Sequence, residues 1–324
     1  MRRRSFVAFI GFILAAPLAS IAQQGKIPRV GFLISETFSG QASRVDALRA
    51  GLRELGYVEG KNIMIELRPA GGNYGRLPAL ATELIDLKVD VLVAFGGKAV
   101  LAAKAATTTI PIVVPSSGDP VAMGIVGGLA HPGGNITGNA MFSMELSAKR
   151  IEILKEALPR IVRVGAVLNA ANPSSRLAFD AMRAAAEASK LELREFKLRS
   201  PKELDSIFSE MAKGRIGAIV VSTDTFFQAN AKAIADLAAK RRLPAVGAAA
   251  FADAGGLIGY GVNDAALYTR AAYFVDRILK GAKPAELPVE RPTRFELVVN
   301  MKTAKALGVK IPQTLLVRAD RVIE

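Results

Sequence analysis

The polar side chains able to hold or transform a small molecule fall in short clusters, each directly behind an apolar run. Ser35-Glu36-Thr37-Phe38-Ser39 sets hydroxyls beside an aromatic ring, ahead of a helix expected from about Ser43. Gly96-Gly97-Lys98 brings bare backbone within reach of a ligand at Gly97. It is not a phosphate loop, because Leu92 and Ala99 stand where G-x-x-x-x-G-K-[ST] requires Gly and Ser or Thr. Pro115-Ser116-Ser117-Gly118-Asp119-Pro120 offers two hydroxyls and the open N–H groups of a helix start, donors that can hold a carboxylate without a formal charge. Asp119 before Pro120 is also an N-cap pair, so this carboxylate has a structural use as well as a binding one.

The second half of the chain repeats the arrangement. Asn169-Ala170-Ala171-Asn172-Pro173-Ser174 places Asn172 as both helix cap and ligand donor. In Ser222-Thr223-Asp224-Thr225-Phe226-Phe227 a carboxylate precedes two aromatics, so Asp224 could take an ammonium while Phe226 walls off an apolar side chain or joins the core. Ala250-Phe251-Ala252-Asp253 makes Asp253 a second ammonium acceptor. The candidate contacts are therefore Ser35, Thr37, Phe38, Gly97, Ser116, Ser117, Asp119, Asn172, Asp224, Phe226 and Asp253.

Catalytic chemistry finds little support. His131 is the single histidine and lies in a Pro-Gly turn, which leaves a serine triad without a well-placed base. There is no cysteine, which removes thiolate metal sites, disulfides and a cysteine nucleophile. Acidic residues are isolated, so no metal site is expected, and no G-x-G-x-x-G follows a strand, so no dinucleotide cofactor is expected. A Lys-based or Asp-based enzyme stays open, but no motif supports one, and no enzyme activity is expected.

The elements that must position these clusters alternate between strand-length apolar runs and helical periods. Strands are predicted at Arg29–Ile34, Asn62–Arg68, Val89–Phe95, Ile110–Val114, Arg163–Leu168, Glu192–Leu198, Ala218–Val221 and Ala245–Gly247. Several are apolar throughout, as parallel strands covered on both faces should be. Val45, Leu48, Leu52 and Leu55 repeat at helical spacing before Gly56. Ser200-Pro201-Lys202-Glu203 is a capping box ahead of the stripe Leu204, Ile207, Phe208 and Met211. The halves also match one another. Ile27 to Ser35 aligns with Ile161 to Asn169 at an offset of 134 residues, Val89 to Val93 with Ile216 to Val220 at 127, and Ile110-Pro111 with Leu243-Pro244 at 133. Three matches in order predict an α/β chain of two similar doubly wound parallel-sheet lobes joined by a hinge, with a seam near Pro132-Gly133-Gly134-Asn135. Ligands of such sheets sit beyond the carboxyl ends of the strands, here in the cleft between lobes.

Arg2, Arg3 and Arg4, the 13-residue apolar run Phe6 to Leu18 and the small-residue pattern Ser20-Ile21-Ala22 read as an export signal cleaved near Ala22. The run falls short of the ~20 residues of a spanning helix. Ordinary Sec export fits better than the twin-arginine route, and no cysteine follows for lipid anchoring. A periplasmic location follows as the expectation. With 324 residues, 51% hydrophobic and 22% charged, the chain is too apolar to stay disordered. Its formal charge of +14 is scattered rather than gathered into a basic stripe, and aromatics make up 6%, so nucleic acid is not the expected partner.

Three stretches carry a family likeness: GLRELGYVEGKNIMIELR from Gly51, IPIVVPSSGDPVAMGIVGGLAHPGGNITG from Ile110, and YFVDRILKGAKPAELPVERPTRFELVVNMKTAKALGVKIPQTLLVRADRVIE from Tyr273. Across Ile27 to Glu324 the chain resembles the substrate-binding proteins of ABC transporters, in the group that includes tryptophan- and tyrosine-type binders. His131 departs from the Arg expected before Pro132-Gly133-Gly134. The resemblance implies a type I periplasmic-binding fold with three crossovers. Beyond the signal peptide over 1–22, the expected division is the first lobe over 27–139, the second over 140–256, a return to the first over 257–292, and a crossover and C-terminal segment packing on the second lobe over 293–324. The resemblance further implies closure on a small ligand, an amino acid or related carboxylate with aromatic ones favoured, and its delivery to an inner-membrane permease, a task that a monomer can perform. The acid group would be held by Ser116 and Ser117 and the ammonium by Asp224 or Asp253. A periplasmic sensor for a membrane receptor shares this fold. So does the effector half of a transcription regulator, but an export signal occupies the place of its DNA-binding unit.

Overall fold

The computed structural model describes residues 26–141, 143–172 and 174–324; the export signal read at residues 1–22 lies outside them. Among the described residues no helix is long and apolar enough to cross a membrane.

The first lobe is a five-stranded parallel sheet. Its strands are β1 (Arg29–Ile34), β2 (Met64–Pro69), β3 (Val91–Phe95), β4 (Ile112–Ser117) and β5 (Ile136–Ala140), in the order β2-β1-β3-β4-β5. Alternation along β1 feeds both faces. Val30, Phe32 and Ile34 meet α1 (Phe38–Glu54), while Leu33 meets α2 (Leu77–Asp86) and α3 (Gly97–Ala106). The predicted stripe of α1 is buried at Val45, Leu48 and Leu52, and Leu55 just beyond the helix is exposed. This helix starts earlier than Ser43, because the Thr37 hydroxyl accepts the N–H of Gly40 and caps it.

The second lobe opens with α4 (Ser143–Ala157) and continues through β6 (Arg163–Asn169), α5 (Ser175–Ala188), β7 (Glu192–Leu198), α6 (Leu204–Lys213), β8 (Ala218–Val221), α7 (Thr225–Ala229), α8 (Ala231–Lys240), β9 (Ala245–Gly247) and β10 (Ile258–Gly261). The chain then crosses back as α9 (Asp264–Leu279), which packs on α1. Gly51 permits that approach: a methyl there would come 2.6 Å from the carbonyl oxygen of Thr269. It crosses a third time to supply β11 (Glu296–Asn300), α10 (Met301–Leu307), α11 (Gln313–Arg318) and β12 (Arg321–Ile323) to the second sheet. The order is β12-β11-β10-β9-β8-β6-β7, parallel except for β10 with β11. One face of this sheet packs Val164, Leu168 and Val220 with Ile151, Leu154 and Met182. The other packs Val167, Ile219 and Val221 with Leu204, Phe208 and Met211. Each such side chain, fully buried, contributes about 1.5–3 kcal/mol.

The internal repeat is visible as topology. β2-β1-β3-β4 and β7-β6-β8-β9 share one order, and the aligned sequence segments occupy equivalent strands. Two boundaries move. Pro132 to Asn135 precede β5, which pairs with β4, so the first crossover lies after Ala140 rather than in that turn. β10 pairs with β9, so the return to the first lobe follows Gly261 rather than beginning at Leu257.

Candidate ligand cleft

The carboxyl ends of both sheets face one another across a cleft with an empty volume of about 540 Å3, partly open to solvent. From the first lobe, β3 ends at Phe95 and leads through Gly96 to Gly97 at the start of α3, while β4 delivers Ser116 and Ser117 directly. From the second, the loop after β6 supplies Asn172 and Ser174, and the loop after β8 supplies Thr223, Asp224 and Thr225, followed by Gln228 on α7. Residues beside the crossovers complete it: Met141 and Ser143 at the first, Asp264 and Tyr268 on α9.

The cleft is rich in hydroxyl and amide groups. Ser117 donates to the carbonyl of Asn139 at 3.3 Å and is buried, whereas the Ser116 hydroxyl, among the described residues, meets Met141 Sδ at 4.0 Å. Asp224 is held by three donors. Its Oδ1 accepts Asn169 Nδ2 at 2.9 Å and the N–H of Phe226 at 2.8 Å, which caps α7, and its Oδ2 accepts Asn172 Nδ2 at 2.5 Å. Burial outweighs these donors and holds the carboxyl above the usual aspartate range. Asn172 is fixed in turn, its Oδ1 accepting Ser174 N–H at 3.0 Å and Oγ–H at 2.7 Å.

The structure gathers Gly97, Ser116, Ser117, Asn172 and Asp224 into the cleft wall. Ser35 lies behind it, buried, with its hydroxyl lacking a protein partner. The other five candidates sit elsewhere. Thr37 is the cap of α1 and Phe38 its first residue, 39% exposed. Asp119 caps a turn, accepting the N–H groups of Val121 and Ala122 at 3.0 and 2.9 Å, and faces a neighbouring hollow. Phe226 is buried in the second-lobe core, edge-on to Phe227 at 5.2 Å. Asp253 forms a two-pronged ion pair with Arg321 at 2.5 and 2.7 Å on the surface.

Sequence reading passed over three groups. Asp264 lines the cleft, and its Oδ2 accepts both Arg44 Nη2 at 2.7 Å and Gln228 Nε2 at 2.9 Å. Arg150 is fully buried below Thr223, to which Nη1 donates at 2.7 Å. It stands in the buried stripe of α4 with Leu146 and Leu154, an out-of-place charge that could have marked it. Glu36, buried, accepts the hydroxyl of Tyr74 at 2.7 Å, and Tyr74 accepts Asn169 Nδ2 at 3.4 Å. Gln228 to Asp264 and Asn169 to Tyr74 both join one lobe to the other, so the arrangement is a closed one.

Residues 35–323 match the family model described as ABC transporter substrate binding protein. A tyrosine-binding protein of Clostridioides difficile is 25% identical over 261 residues, 80% of this chain and 74% of the relative. The crystal structure of a conserved domain protein from Vibrio cholerae superposes with a TM-score of 0.86 at 26% identity, covering 92% of this chain and 100% of that one. The L-Trp complex of an ABC domain from Streptococcus pneumonia gives 0.83 at 25% identity, covering 91% and 99%. Two parallel-sheet lobes, three crossovers and a cleft at the strand ends accord with these matches, and the chain belongs to the ABC transporter substrate-binding protein family.

Proposed function

We propose that this chain is the periplasmic receptor of an ABC importer, closing on a small ligand, an amino acid or related carboxylate, and presenting it to the membrane permease. One observation carries the reading: both lobes contribute hydrogen-bonding groups to a single cleft that closure seals. Gly97, Ser116 and Ser117 face Asn172, Thr223 and Asp224 across it, and the Gln228–Asp264 bond spans it. Hydroxyl and backbone N–H donors suit a carboxylate. Asp224 Oδ2, with one donor among the described residues, keeps capacity for an ammonium. Tyr268, Met123 and Met141 supply the apolar contacts, and the tyrosine and L-Trp named for two relatives favour an aromatic side chain. Binding need only favour the closed form over the open one to drive delivery.

The test is a thermal-shift screen of the chain from Gln23, stripped of co-purified ligand, against amino acids, aromatic carboxylates, sugars and purines. A ligand at about 100 times its Kd stabilises by about 2.7 kcal/mol, a clear shift. Amino acids or carboxylates should give it. A shift with sugars or purines alone would overturn the reading, and unimpaired uptake in a deletion strain would remove the transport role.

A further inference from the structure

Arg150 poses an electrostatic problem that the protein itself does not solve. Its side chain is fully buried, with Nε donating to the carbonyl of Tyr260 at 2.8 Å and Nη1 to Thr223 Oγ1 at 2.7 Å. Neither partner is charged, and among the described residues no carboxylate forms an ion pair with it. Asp264, whose field reaches this guanidinium, is ion-paired with Arg44 at 2.7 Å. Burial lowers the Arg150 pKa to about 10, which leaves it ionised at neutral pH. A buried charge without a counter-charge is destabilising, so an anion beside it has a specific effect to exert.

Thr223 is the link to the cleft. It lines the cavity, and because its oxygen accepts from Arg150, its own O–H is left to donate. A hydroxyl backed by a cation is a stronger donor than a hydroxyl alone. Asp224, the neighbouring residue, is turned to Asn169, Asn172 and the start of α7. Asp264 gives its ion pair to Arg44 and reaches Arg150 only through its field.

We infer that the acid group of the ligand accepts the hydroxyl proton of Thr223 in the second lobe, with Arg150 as the buried charge behind it. This rests on the amino-acid or carboxylate reading of the same cleft, and it moves the acid group away from Ser116 and Ser117. Thr223 is a binding residue and Arg150 a positioning residue that acts through it.

The experiment is calorimetric titration of L-alanine, L-leucine, L-tyrosine and L-tryptophan, each beside its α-amide, into wild type, T223S, T223V and R150M. In wild type, an amino acid that binds should do so about 30-fold or more tightly than its amide, the scale of a charge-assisted bond. T223V should reduce that ratio to about 3-fold or less, and T223S should keep it, since the hydroxyl remains. R150M should lose the ratio as T223V does; should it fail to fold, T223V decides. A T223V ratio equal to that of wild type, or a wild type indifferent to amidation, overturns the inference while leaving amino-acid binding in place. A wild type that binds none of these amino acids fails the parent reading, and the inference with it.

Discussion

Gln228 on α7 and Asp264 on α9 belong to different lobes, yet Gln228 Nε2 donates to Asp264 Oδ2 at 2.9 Å. Arg44 of the first lobe donates to the same oxygen at 2.7 Å, so the carboxylate is already oriented when the second lobe arrives. Separation of the lobes breaks the Gln228 bond and leaves the Arg44 bond intact. Gln228→Ala therefore acts on closure: loss of a bond to a charged group costs about 1.5–3 kcal/mol. Ligand affinity should fall about 10- to 100-fold. The melting temperature of the ligand-free chain should move little, and X-ray scattering should show a more open form at partial saturation.

Gly96 is one of the positions at which the two lobes approach each other closely. Its φ is +94°, and a methyl there would lie 2.9 Å from Thr225 Oγ1 in the other lobe and 3.0 Å from Ser35 Oγ. Gly96→Ala adds backbone strain of about 1 kcal/mol to the first lobe and a steric block to closure. The variant should fold, lose ligand affinity by more than the change in unfolding free energy accounts for, and keep open-form dimensions at ligand concentrations that close wild type.

The parts legible in the sequence and the parts that were not divide by physical type. β1, β3, β6 and β8 are apolar runs buried on both faces, and periodicity finds them. β5, Ile-Thr-Gly-Asn-Ala, and β10, Ile-Gly-Tyr-Gly, are short and glycine-bearing, and only pairing with β4 and β9 makes strands of them. At the cleft, clusters that follow strands directly were readable, as Ser116 and Asp224 illustrate. Asp264 and Gln228 are 36 residues apart in sequence and meet only through the second crossover, which no local pattern encodes. Phe226 stayed open between ligand wall and core because an aromatic beside a polar loop can turn either way, and here it packs in the core beneath β8.

Asp253→Asn separates surface from site. The carboxylate is about half exposed and, among the described residues, pairs with Arg321, so its loss should cost under about 1 kcal/mol. Ligand affinity should match wild type in the same titration. A tenfold loss would return Asp253 to the binding residues.

Glu36 and Asp224 are joined across the cleft through Tyr74 and Asn169, a carboxyl at each end of a chain of hydrogen bonds. Burial is the largest influence on both and raises both. For Glu36 the Tyr74 hydrogen bond opposes the rise, and the charge of Asp224 adds to it. A carboxyl whose folded pKa lies above its unfolded value takes up protons preferentially in the folded form. Its ionisation therefore costs stability in full above the folded pKa, and acidification recovers that stability down to the ordinary range near 4. Other, ion-paired carboxylates push the opposite way in acid, so the contribution of Glu36 must be read as a difference. Glu36→Gln removes the ionisation while retaining an acceptor for Tyr74. Its unfolding free energy should exceed that of wild type at pH 7.5, because burial disfavours the ionised Glu36 of wild type. The gap should narrow as pH falls through the folded pKa of Glu36 toward the ordinary carboxyl range near 4. A gap independent of pH would mean that Glu36 titrates alike in the folded and unfolded chain, and burial would then not be governing this carboxyl.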